Sequence, residues 1–188
     1  GGWNWANAIH DLIANYDVNA VDHMFGFFGY WASVRDNSDQ YINIQFDSRG
    51  NYLSHSRSPK FYFAGQYTRF VRPGAIRLDA QSGDHDLKVT AFRHPSTGAF
   101  TVVVINSGLS DKTAAFTIKN LPAASFSTAY RTSRTENWAT LPAVSLSNGI
   151  FSATLKGESV TTFTTSGAVV IPLPSDTTPP TITVGPLA

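Results

Sequence analysis

Two prolines and the residues beside them divide this chain into unlike halves. Ser58 precedes Pro59, which predicts an N-cap followed by a proline in the first helical turn, where its missing N–H costs nothing. Phe63, Tyr67, Phe70 and Val71 then recur at i, i+4, i+7 and i+8, the apolar stripe of a short helix. Ala64 and Gly65 are small and allow close approach on another face. Arg72 stands before Pro73 and is pushed out of the helical region, so the helix stops there. Pro73-Gly74 fits the centre of a type II turn, proline fixing φ and glycine supplying a positive φ. Ile76-Arg77-Leu78 begins a strand. Helix and strand patterns precede this hinge; everything after it reads as β.

Upstream, Trp5, Ile9, Leu12 and Ile13 mark an amphipathic helix that ends at the polar break Asn15-Tyr16-Asp17. Asn19 to Phe25 reads as a short strand, with Phe27, Phe28, Tyr30, Trp31 and Arg35 just past it. Tyr41 to Phe46 alternates as a strand, and Asp47-Ser48-Arg49-Gly50-Asn51 turns into a polar loop leading to the hinge.

Downstream, Leu87, Val89 and Ala91 alternate, and His94 to Gly98 is a hairpin loop. Phe100 to Asn106 is a continuous apolar run, the pattern of a central strand buried on both sides. Ala114, Phe116 and Ile118 alternate again, and Phe126–Arg131, Ile150–Leu155 and Val160–Phe163 complete the set. Seven or eight short strands between turn signals predict an antiparallel β-sandwich, and a mainly β chain. The tail from Pro172 holds five of the ten prolines and reads as an extended linker.

Composition narrows the function. A net charge of +1 gives no basic footprint for nucleic acid and no polybasic membrane patch. There is no cysteine, which excludes disulfides and thiolate metal sites. No apolar run is long enough to span a bilayer, and no signal peptide is visible. The chain, 14% charged against 13% aromatic and rich in Ser and Thr, suits the surface of a secreted carbohydrate-active protein. His10, His23, His55, His85 and His94 are scattered, without the spacing of a catalytic zinc site. Asp84-His85-Asp86 is a polar turn that would need further oxygen ligands to hold calcium. Neither metal nor cofactor is expected.

Two stretches carry a resemblance. Tyr62 to Arg77, YFAGQYTRFVRPGAIR, resembles the segment joining barrel to side domain in glycoside hydrolase family 30. Tyr130 to Phe163 is similar to that family's last sandwich strands. The resemblance spans Trp3 to Thr165. It implies a (β/α)8 barrel plus a β-sandwich, cleaving β-linked sugars with retention. At 188 residues the chain is too short for a whole barrel, which takes about 250. Residues 1–57 are then expected to be the barrel's C-terminal remnant, 58–75 the hinge, 76–166 the sandwich and 167–188 a linker, its end resembling the entry to a bacterial Ig-like repeat. The chain, which opens Gly-Gly-Trp, is expected to be a fragment, a processed product or a trimmed form.

The resemblance implies two catalytic glutamates, ending the fourth and seventh barrel strands. This chain has only Glu136 and Glu158, both in the sandwich portion. No catalytic residue is therefore expected, and the chain alone should be inactive. Asp22 and His23 are adjacent on the expected eighth barrel strand and point to opposite faces, which is no dyad. Where the family has a tryptophan-rich stretch, this sequence has Met24 to Phe28, with Trp31 later. Tyr30, Trp31 and Arg35 are candidate substrate-binding residues; the alternative for Tyr30 and Trp31 is packing between barrel and sandwich. Trp138 is expected to cap the sandwich core. The stripe of the first helix is expected to lack its barrel partners. The partners implied are a polysaccharide (xylan, β-1,6-glucan or β-1,6-galactan) and the missing barrel segment, with no nucleic acid or membrane, and an extracellular bacterial location. The rival reading is a non-catalytic carbohydrate-binding or structural sandwich.

Overall fold

The computed structural model describes residues 2–24, 26–31, 40–119 and 126–165. Helix α1, Gly2–Ala14, is followed by β1, Phe27–Trp31, β2, Ile42–Phe46, and β3, Tyr52–Arg57. The hinge helix α2 spans Pro59–Thr68. Then come β4, Ile76–Leu78; β5, Leu87–Arg93; β6, Phe100–Asn106; and β7, Lys112–Thr117. The last four are β8, Phe126–Thr132; β9, Ala139–Leu141; β10, Ile150–Leu155; and β11, Ser159–Thr165.

Strand β6 explains the architecture. It lies inside an antiparallel sheet ordered β4-β5-β6-β11-β8-β9. Phe100, Val102 and Val104 point into a core shared with Leu87, Ala91, Phe126, Phe151, Leu155 and Phe163, closed by the antiparallel pair β7–β10. Val103 and Ile105 point the other way, into a second core with Phe63, Ala64, Tyr67, Ala6 and Ile9 from the two helices. Side chains alternate across a strand. A strand covered on both faces needs apolar residues at every step, which is why this run is continuous. Each fully buried valine or isoleucine contributes about 1.5–3 kcal/mol.

The backbone at Ser58 and the turn at Gly74 form as the sequence predicts, while the helix between them differs in its cap and its end. Ser58 takes the extended N-cap backbone, φ −75° and ψ 162°, but its hydroxyl makes no cap bond. Instead Ser58 Oγ donates to the Gln40 carbonyl at 2.5 Å, tying the helix start to the chain before β2. Regular helix ends at Thr68, earlier than expected, although Val71 N–H still bonds the Tyr67 carbonyl at 2.8 Å. Gly74 has φ +91° and Ala75 N–H closes the turn onto the Arg72 carbonyl at 3.0 Å.

Four expectations for the remaining elements need correction. Asn19 to Met24 is not a strand: Val21 packs onto the helix-side core, and His23 lies between Trp5 and Tyr41, with ring centroids 5.0 and 4.7 Å away. Side-chain packing, not a ladder, uses those residues. The strand is β1, so Tyr30 and Trp31 belong to it rather than to a loop beyond it. The polar stretch before the hinge is β3, a hairpin partner of β2. Finally, the α1 stripe is not bare. Ala6 and Ile9 are buried against α2 and the sheet, and Trp5 Nε1 donates to the Tyr41 hydroxyl at 2.9 Å. The tail, 166–188, lies outside the described residues.

Candidate functional site

The candidate site is the end of β1 and the small mixed sheet it belongs to, β1-β2-β3, with β1 parallel to β2 and β2 antiparallel to β3. Gly29 allows this sheet to pack tightly: a β-carbon there would stand 2.6 Å from Phe46 Cε2, so the Phe46 ring lies over β1. Tyr30 is only 6% exposed, and its hydroxyl donates to Gln40 Oε1 at 2.8 Å. Its ring sits 5.2 Å from that of Phe28. Gln40 thus joins β1 through its side chain to the hinge through its carbonyl. Trp31 ends β1 opposite Phe46 in the register. Arg35 lies outside the described residues. Asp22 is exposed on an irregular segment, apart from any ladder.

The two glutamates are held in ion pairs. Arg131 grips Glu136 with two bonds, Nε to Oε2 at 2.9 Å and a terminal nitrogen to Oε1 at 2.6 Å. Ser133 Oγ donates at 2.8 Å and Lys156 Nζ at 3.3 Å. The Arg131 bonds, helped by Ser133 and Lys156, hold the Glu136 carboxyl down to about 2. Such a group is ionised throughout the working range and has no proton to give to a leaving group. Glu158 sits at φ +49° and pairs with Arg134 at 3.0 Å.

Asp84, His85 and Asp86 place one potential metal-binding atom each within 4.8 Å of one another. Lys112 Nζ already reaches Asp84 at 2.7 Å and Asp86 at 2.6 Å, so an ammonium supplies the positive charge there. A cleft of about 1080 Å³ opens between β5 and β7 and is lined by Leu87, Val89, Val102 and Phe116, with no residue of β1, β2 or β3. It is the uncovered margin of the sandwich core rather than part of the β1 site.

Trp138 lies elsewhere than expected. It packs on α2, not over the sandwich core: Nε1 donates to the Tyr62 carbonyl at 2.7 Å, and the ring stands 5.2 Å from both Phe61 and Tyr62. The guanidinium of Arg69 lies 5.0 Å from the same ring.

Gln40 and the β2–β3 hairpin are the parts of the site that sequence reading missed. The turn was visible. Asp47 Oδ1 accepts from the backbone N–H of Arg49 at 2.9 Å and of Asn51 at 2.8 Å, and Gly50 takes φ +82°. Tyr-Leu-Ser-His-Ser-Arg after such a turn is a second strand with no buried face, and so has no apolar alternation to announce it.

The described fold is that of an antiparallel sandwich with one outer face covered by helices and a short mixed sheet attached at the helix side. Residues 74–163 match the glycosyl hydrolase family 30 β-sandwich domain. Solved structures agree over a longer stretch. The glycoside hydrolase family 30 subfamily 8 xylanase from Clostridium acetobutylicum is 26% identical, with a TM-score of 0.65, over 87% of this chain and 38% of its own. The family 30 endoxylanase from Clostridium papyrosolvens C71 is 24% identical, with a TM-score of 0.64, over 87% of this chain and 37% of its own. A conserved exported protein from Bacteroides fragilis shares the fold at 17% identity and a TM-score of 0.66, over 87% of this chain and 33% of its own. The chain thus spans between 33% and 38% of the length of these relatives.

Proposed function

We propose that this chain is the C-terminal part of a retaining glycoside hydrolase that acts on a β-linked polysaccharide of the xylan, β-1,6-glucan or β-1,6-galactan type. In this reading residues 1–57 close the catalytic barrel, 58–75 are the hinge, 76–166 the side sandwich and 167–188 a linker. The observation that carries it is the 26% identity to a family 30 xylanase across 87% of the chain, on both sides of the hinge. The catalytic pair belongs to the barrel portion outside this sequence, because Glu136 and Glu158 are tied to arginines in sandwich turns. Retention needs a nucleophilic carboxylate and a second carboxyl that gives up a proton, about 5–5.5 Å apart. The chain alone is then inactive and works with the rest of its barrel, outside a bacterial cell. No helix among the described residues is long and apolar enough to cross a membrane.

One observation favours a second reading, a non-catalytic carbohydrate-binding or structural module. The apolar side of α1 is buried within this chain, so the first residues do not require an absent barrel to cover them. The coding DNA upstream separates the two. A continuous reading frame with glutamates ending a fourth and a seventh barrel strand supports the hydrolase; a stop codon immediately upstream leaves the binding module.

A further inference from the structure

We propose that the outer face of the β2–β3 hairpin is a glycan-stacking platform built on Tyr52, His55 and Phe46, an extension of the site at the end of β1; the inference rests on the polysaccharide reading above. All six residues of β3 are exposed, and Tyr52 keeps 57% of its surface in solvent. The register places Trp31, Phe46 and Tyr52 in one row across the three strands, and Gly29, Ile44 and His55 in the row beside it. Paired residues share a sheet face, so the Phe46, Tyr52, Ile44 and His55 side chains belong to one surface. Two strand spacings separate position 31 from position 52, about 10 Å, which is the reach of a disaccharide.

The rings are fixed before any ligand arrives. The Tyr52 hydroxyl and His55 Nδ1 stand 2.6 Å apart, and the two rings are 6.2 Å apart at 33°. The hydrogen bond uses the edge of the tyrosine and leaves the face, the part that stacks on the C–H groups of a pyranose. Fixing a side chain beforehand removes the ordering cost that an exposed ring otherwise pays on binding. Phe46, half-buried above Gly29, floors the row beside Tyr52. Arg57, exposed at the far end of the strand and stacked 5.3 Å over Phe61, supplies donors for sugar hydroxyls. A β-linked pentose or hexose chain, with flat apolar faces and hydroxyl rims, matches this surface; a purely apolar ligand does not.

Xylohexaose and a β-1,6-linked glucose hexamer are titrated separately into the isotopically labelled 188-residue chain, and amide shifts are followed. The expected result is saturable shifts at Tyr52, His55 and Phe46 with one of the two sugars. Tyr52→Ala should weaken binding about fivefold, in line with the loss of one aromatic face, while Tyr52→Phe retains most of it. β3 is exposed along its length, so these substitutions leave the core intact, and unchanged protection of β6 amides checks it. Shifts absent with both sugars, or equal affinity for wild type and Tyr52→Ala, overturn the platform. The hydrolase reading fails separately: if the upstream frame lacks the glutamates but Tyr52-dependent binding persists, the platform stands as the working surface of a binding module.

Discussion

Gly65 and Trp138 interlock: a β-carbon on Gly65 would stand 2.0 Å from Trp138 Cζ2, well inside contact distance. The indole lies flush on the hinge helix, anchored by its bond to the Tyr62 carbonyl at 2.7 Å. This is where the sandwich grips the hinge.

Gly65→Ala should therefore destabilise the protein. Alanine gains about 1 kcal/mol of helix propensity over glycine. Pushing the indole out costs more, because overpacking costs about 1–3 kcal/mol and the Tyr62 bond, worth about 1 kcal/mol, goes with it. Chemical denaturation should show a net loss of about 2 kcal/mol. A midpoint at or above wild type would show that the indole has room to move.

Removing the carboxylate in Glu136→Gln should cost about 1–2 kcal/mol at neutral pH, the range for a charge-assisted bond that is partly open to solvent. The sign with pH follows from the depressed carboxyl. Its folded value is about 2 against an ordinary 4.5, so its contribution is complete above 4.5 and lost as pH falls toward 2. Melting temperatures of wild type and variant should converge across that window. A gap that stays constant down to pH 2 would assign the loss to packing.

His10 gives the opposite end of the chain its own acid sensitivity. Burial, with the nearby Lys88 charge, lowers its pKa below 6.5, against a smaller opposing effect of Asp11. Its Nδ1 is buried with no hydrogen-bond partner among the described residues. Stability from the neutral imidazole is therefore complete above 6.5 and declines as pH falls below it toward the folded value. His10→Gln should flatten the pH dependence of the melting temperature between about 7 and 5. An unchanged slope would place the sensitivity in the exposed histidines.

Much of the sandwich was legible because each of its signals depends on residues near in sequence. The run Phe100 to Asn106, the proline-glycine turn at Gly74 and the alternation of Ala114 and Phe116 each dictate local geometry. What failed depended on distant partners. His23 is drawn out of a ladder by Trp5 and Tyr41, and Ile9 is buried in a core whose members include Val103 and Ile105, more than ninety positions away. Tyr30 was a candidate for stacking on sugar because its ring offers an apolar plane and a polar handle, with packing as the alternative; its burial and its bond to Gln40, ten residues on, were not visible in the sequence. Within the site, the sequence could name residue types but not which ring faces were covered.

Turnover of polysaccharide tests the account most directly. The purified chain is incubated with xylan and with β-1,6-glucan, alone and with the barrel segment that the proposed hydrolase would supply, and new reducing ends are measured. No release by the chain alone, and release when both parts are present, is the predicted result. Release by the chain alone that disappears in the Glu136→Gln/Glu158→Gln double variant would contradict it and make the sandwich itself the enzyme.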